Sequence, residues 1–378
     1  MRTYPHAMLR EIHEQPEAIR RTLDLYVDLG VNGEGPRSLK VHAWPALANW
    51  SHPEGEVLIA ASGSSRHAGL AAEVTLEDLC GLAVDVEYAS EYSSRGSQES
   101  RHPSVIVISQ SGETSDTLAA LRSAASHHQK TLAITNVATS TMAREATVSL
   151  PLGAGKELAI PATKSFTCQL TVLYLLALHE GQRLNTLSEK AVSTRLAELA
   201  ALPGSLLAQL EDWEDQTRRL ACKYREAHTF LYLGRGVHYP IAREGALKLK
   251  EASYVHAEGY PSGELKHGPN ALVSDQVPVV ILAAVDRHLE ASRLRHEKTL
   301  QLLADLKAQG AKVIALANAG DTEVPNLVSD CLFVEPLSEH LLPIAEVVPL
   351  QLFSYFMALE KGVDVDRPRN LNKAVIEV

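Results

Sequence analysis

A basic excess, paired cysteines and long apolar runs are all missing from this 378-residue chain. Lys and Arg number 36 against 46 Asp and Glu, a net charge of -10, so a broad phosphate-backbone surface for nucleic acid is excluded. Any bound anion must be held locally. Cys80, Cys168, Cys222 and Cys331 lie far apart with no CxxC pair, which excludes a zinc cage or redox motif and reads as free thiols in a reducing cytoplasm. No run of about 18 apolar residues occurs, and the opening RTYPHAMLREIHEQPEAI is too polar for a signal peptide. A cytoplasmic protein outside the membrane is therefore expected. The histidines do not cluster with carboxylates at ligand spacing, so no metal is expected. Neither GxGxxG nor GxxxxGK[ST] is present, so no nicotinamide or nucleotide cofactor is expected.

What is present is enough chain for two domains, with 45% hydrophobic and 22% charged residues. VLIAAS, SVIVIS and TLAITN, starting at 57, 104 and 131, read as buried strands alternating with helical patterns such as TLAALRSAASHH. That order predicts a parallel sheet with helices on both faces. TFLYLG at 229, PVVILAA at 278, KVIALAN at 312 and CLFVEP at 331 repeat it. The matched starts (57 with 229, 131 with 312, 148 with 331) indicate a duplicated α/β domain. The boundaries read as an N-terminal helical segment over 1–40, a first domain over 41–185, a helical connector over 186–225 interrupted at Pro203-Gly204, a second domain over 226–360 and a tail over 361–378.

Two loops leave strands as anion sites do. SQSGETSDT follows SVIVIS: Ser109, Ser111, Thr114 and Thr117 offer hydroxyls, Gly112 lets the backbone turn, and the next helix presents its N-terminal amides. Ser64 and Ser65 in ASGSSRHAG follow the preceding strand, which would place both loops at the carboxyl end of one sheet. Helix capping alone would use the same residue types.

The stretch EGALKLKEASYVHAEGYPSGELKH at 244–267 crowds charge into two dozen positions. Glu244, Lys248 and Glu251 share one face if the segment is helical, whether as an ion-pair ladder or as chemistry.

These stretches, with ITNVATSTMAREA, ATKSFTCQL and DVDRPRNLNKAV, resemble the sugar isomerase (SIS) family, in particular the isomerase half of glucosamine-6-phosphate synthases, from about Leu9 to Val378. The resemblance implies two tandem SIS domains of flavodoxin-like, three-layer αβα type. It implies that Ser65, Ser109, Gln110, Ser111 and Thr114 contact the phosphate and sugar. It further implies that Glu251 moves a proton between C1 and C2 of an open-chain hexose 6-phosphate and that His267 opens the ring, delivered across a homodimer interface. Lys373 is implied to stand beside C2, forming an imine or polarising the carbonyl, and Lys248 to lie near the reacting oxygens. Lys250 and His256 fall in the motif with supporting roles.

The chain enters this region almost at once, without the synthase's glutaminase cysteine. Ammonia would then have to come from solution, so the expected reaction is the release of ammonia from glucosamine 6-phosphate to give fructose 6-phosphate. Ammonia-dependent synthesis, plain aldose–ketose isomerisation, deglycation of a fructosamine phosphate and non-catalytic sugar-phosphate sensing are the alternatives. Arg66, Ala159, Pro161, Ala162 and Asn372 depart from the synthase pattern and bear on which sugar is accepted.

Overall fold

The computed structural model describes residues 2–28, 37–40, 44, 47, 50, 56–95 and 104–373. The start of the expected first domain and the last five residues of the tail lie outside them. The chain divides into two compact units, each treated by itself. The first-sheet unit comprises 14–157, 162–203 and 372–378. The second-sheet unit comprises 1–13, 158–161 and 204–371.

In the first-sheet unit five strands, β1 (Glu56–Ala61), β2 (Ala83–Tyr88), β3 (Ser104–Ser109), β4 (Thr131–Thr135) and β5 (Val148–Pro151), pair in the order β2-β1-β3-β4-β5, every pair parallel. β3 and β4 are buried throughout, because helices cover both faces and leave no side to water. On one face Leu58, Ala60, Val105, Val107 and Ala133 pack with apolar residues of α4 (Ala89–Ser94), α5 (Ser115–Ser126) and α6 (Thr141–Glu145). On the other lie α3 (Gly63–Cys80) and α7 (Lys164–Arg183), with α2 (Gln15–Tyr26) packed on α7. The helical reading of the first 40 residues holds to Tyr26. Val27–Asp28 then pairs antiparallel with Ser38–Leu39.

The second-sheet unit repeats the plan. β6 (Thr229–Gly234), β7 (His256–Pro261), β8 (Val279–Leu282), β9 (Val313–Asn318) and β10 (Asp330–Val334) run parallel in the order β7-β6-β8-β9-β10. α10 (Glu290–Ala308) covers one face through Leu302, Leu303 and Leu306. α9 (His238–Ser253) and α11 (Leu342–Glu360) cover the other, where Phe230 meets Phe353 edge-on at 5.7 Å. α11 is the one helix among the described residues long and apolar enough to cross a membrane by length and composition, yet it is almost wholly buried. Its Glu346 carboxylate pairs with His238, as suits a core helix. The short α1 (Ala7–His13) is capped by Asp366, which accepts from the Ala7 and Met8 amides at 2.7 and 2.9 Å.

The break expected at Pro203-Gly204 does not occur. α8 (Glu189–Tyr224) runs through both residues as one 36-residue helix. A proline costs one amide bond and crowds the preceding turn. Here buried Leu196, Leu199, Leu202, Leu206, Leu210 and Trp213 recur at helical spacing on both sides of it, and burial outweighs the local penalty. The division between the two units falls at this proline.

Candidate active site

In the first sheet the chain leaves β1 for β2 on one side, then returns to β3 on the other. Between β1 and β3 lies the topological switch point where open α/β sheets bind ligands. The loops after these two strands hold Ser64 and Ser65 in the first turn of α3, and Ser109 to Thr114 leading into α5. Two helix N-termini therefore supply unpaired amides and the positive ends of their dipoles here.

Ser109 is the hub of the second loop. Its Oγ lies 2.8 Å from Thr114 Oγ1 and accepts the Gly112 amide at 3.1 Å, while Ser111 Oγ accepts the Glu113 amide at 3.1 Å. The loop is fixed from behind. Asn136 N donates to Gln110 O and Met142 N to Gly112 O, both at 3.1 Å, and the Glu113 carboxylate accepts the Thr141 amide of α6 at 2.7 Å. Gly112 has φ +66°, and a Cβ there would stand 2.1 Å from Ser140 Oγ, so only glycine fits. The buried hydroxyls of Ser115 and Thr117 make no hydrogen bond among the described residues. Ser65 Oγ accepts from Gln169 Nε2 of α7 at 3.0 Å. The Arg66 guanidinium stacks 3.8 Å over the Tyr88 ring, which gives this departure from the synthase pattern a place at the end of β2.

Lys373 also belongs to this unit. Its Nζ donates to Glu157 Oε2 at 2.7 Å. Buried Glu157 accepts three further bonds: Thr163 N at 3.0 Å and Ser165 N at 3.1 Å on Oε1, and Ser165 Oγ at 2.7 Å on Oε2. It thereby satisfies amides at the start of α7, whose N-cap Thr163 makes no side-chain cap. Burial alone would raise this carboxyl. The charge and hydrogen bond of Lys373, with the Thr163 and Ser165 donors, instead hold it below the usual carboxylate range.

In the second-sheet unit the charged stretch changes conformation twice. It is helix to Ser253, turns at Tyr254 with φ +60°, forms edge strand β7, and ends in a 3-10 helix, Ser262–His267. The spacing of Glu244, Lys248 and Glu251 is thus helical, and the three side chains meet. Lys248, 1% exposed, lies 3.5 Å from fully buried Glu244 and hydrogen-bonds Glu251, whose side chain is 22% exposed. Of the three, Glu251 is the member that solvent reaches. Such a carboxylate can take and return a proton. Leu265 pins the 3-10 turn in the core, while His267 two residues on is exposed.

The candidates therefore form separate groups: Ser109, Ser111 and Thr114 on one loop; Ser65 on Gln169; Lys373 on Glu157; Lys248 and Glu251 with Glu244; and His267 alone on its turn. Ser64 lies beside Ser65 in the first turn of α3, and Gln110 contributes its carbonyl to the loop. Gln169 and the holding role of Glu157 were missed in the sequence. Glu157 is the one acid within LGAGKELAIPATKS, which is the available signal. Among the described residues no three His, Cys, Asp or Glu side chains gather as a metal site.

Duplicated doubly wound sheets, one with a hydroxyl-rich loop at its switch point, define a class of α/β protein suited to a small anionic ligand. The SIS domain model matches residues 52–179 and 223–361, and the chain belongs to that family. It is 40% identical over 375 residues to the glutamine–fructose-6-phosphate aminotransferase (isomerizing) of Chlorobaculum tepidum. That match covers 98% of this chain but 58% of the relative, so the chain spans little more than half the length of such relatives. The C-terminal domain of glucosamine-fructose-6-phosphate aminotransferase from Francisella tularensis matches with a TM-score of 0.84 at 32% identity, covering 97% of this chain and 98% of that one. The glucosamine-6-phosphate deaminase of Thermotoga maritima shares the fold, with a TM-score of 0.69 at 23% identity over 98% of this chain and 99% of that one.

Proposed function

We propose that this SIS-family enzyme acts at C1 and C2 of a hexose 6-phosphate, converting glucosamine 6-phosphate and water to fructose 6-phosphate and ammonia. The loop from Ser109 to Thr114, with Ser64 and Ser65, holds the phosphate, and Gln110 contacts the sugar. His267 opens the ring. Glu251 takes the C2 proton of the open-chain sugar and returns it to C1, while an amine proton passes to O1, so the C1 aldehyde becomes a hydroxymethyl group and the C2 amine a C2 imine. Water adds to that imine and ammonia leaves. Lys248 steadies charge on the reacting oxygen, and Lys373 stands at C2.

The observation that carries this reading is the Glu244–Lys248–Glu251 cluster. It is buried at two members and open to solvent at the third, a form that suits a proton shuttle. The relatives' names, which specify fructose 6-phosphate, support the substrate class. With water as the abundant partner, release of ammonia is favoured. The aminotransferase names favour a second reading, addition of ammonia to fructose 6-phosphate by the same residues run backwards.

The exposed position of His267 on its turn supports a homodimer in which a second copy uses it. The free cysteines support a cytoplasmic setting. A coupled assay tests the function. Ammonia and fructose 6-phosphate should appear together from glucosamine 6-phosphate, and folded protein that yields neither would refute deamination.

A further inference from the structure

We propose that Glu157 is a positioning residue that seats the Lys373 amine, fixing the last described turn of the chain against the start of α7. The inference rests on the reading above, in which Lys373 works at C2. Capping α7 needs only an acceptor, and Oε1 alone serves both the Thr163 and Ser165 amides. Oε2 is left for Ser165 Oγ and for Lys373, and these two complete the carboxylate's set of four donors. The carboxylate is buried, whereas the lysine side chain is 27% exposed and arrives from 216 residues away in sequence. A long amine tethered to a rigid, fully bonded acceptor keeps one orientation, which an amine placed beside a reacting carbon requires.

Glu157→Gln separates the two roles. Its amide oxygen can keep both backbone donors, and its NH2 can donate to Ser165 Oγ but opposes the ammonium. Labelling of lysines by a water-soluble acylating reagent, read by peptide mass spectrometry, should then rise about fivefold at Lys373 and stay level at exposed Lys298. The kcat should fall about tenfold with KM for the sugar phosphate nearly unchanged, and Glu157→Asp should recover part of it. Ser165→Ala, which removes one cap donor and no charge, should lower Tm without raising Lys373 labelling. If Glu157→Gln fails to fold, the wild type still decides. Lys373 should label several-fold more slowly than Lys298 in the folded protein and equally in urea. Equal labelling in the folded wild type, unchanged Lys373 labelling in folded Glu157→Gln, or a loss expressed in KM alone would overturn the proposal. Absence of turnover in a wild type with protected Lys373 would instead count against the catalytic reading and leave the pairing standing.

Discussion

The two switch points of this duplicated chain have the same strand order and different side chains around them. In the first sheet the loops after β1 and β3 present serine and threonine hydroxyls, helix N-termini, and the buried Ser115 and Thr117 hydroxyls without hydrogen-bond partners among the described residues. In the second sheet the corresponding region carries charged side chains in pairs. Arg295 of α10 lies against the β6 turn at Gly236 and pairs with Glu339 at 2.6 Å, and Ser292 also donates to Glu339. The Glu339 amide donates to Asp286 after β8, and His238 pairs with Glu346 at 2.9 Å. The second copy carries ion pairs at this end of its sheet, and its distinctive feature is the far end of α9, where Lys248 and Glu251 sit. Duplication thus preserved a backbone plan while the residues on it diverged, which is why the site must be argued from residues and not from fold.

If this division holds, the largest effect should come from Glu251→Gln: kcat lower by about a thousandfold, with the dissociation constant for the sugar phosphate changed less than twofold by calorimetry. A matching loss of binding would break the division. Gly112→Ala should cost about 2 kcal/mol or more of stability, since it combines a strained φ with overlap on Ser140, and should weaken phosphate binding at least tenfold. Thermal melts and calorimetry read the two effects separately. Ser109→Ala should weaken binding about tenfold, the worth of about one hydrogen bond to a charged ligand. Arg295→Ala, which removes the ion pair to Glu339 in the second unit, should lower Tm and leave that binding unchanged. Weakened binding in Arg295→Ala would show that the second crevice takes part.

The smallest effect is acid sensitivity at Glu157. Its folded carboxyl is held below the ordinary value of 4.5: burial opposes this, and Lys373 with the Thr163 and Ser165 donors outweighs it. The stability it contributes is therefore fully present above about 4.5 and lost as pH falls through the lower folded value. The Tm difference between wild type and Glu157→Gln should be flat from pH 7 to 5 and shrink only below that. A difference already shrinking between 7 and 5 would contradict the assignment.

Much of this was legible in the residues. Continuous apolar runs such as SVIVIS mark strands buried on both faces, and their recurrence gave the duplication. The edge strands β2 and β7 escaped notice because AVDVEY and HAEGYP are half polar, as strands with one free edge can be. The i, i+4, i+7 charges of 244–251 could be read because one helix carries all three. The Lys373–Glu157 and Ser65–Gln169 pairs could not, because each joins residues over a hundred positions apart through tertiary folding. Pro203 misled because a local penalty was weighed without the burial that overrides it.

In the proposed reaction Glu251 moves a proton between C1 and C2 of a hexose 6-phosphate. Incubating the protein with fructose 6-phosphate in D2O and following the C1 protons by NMR detects this transfer. Deuterium should enter one C1 position with wild type and not with Glu251→Gln, while both proteins still bind the sugar phosphate. Exchange that survives in Glu251→Gln, or no exchange in a wild type shown to bind the sugar, would contradict it.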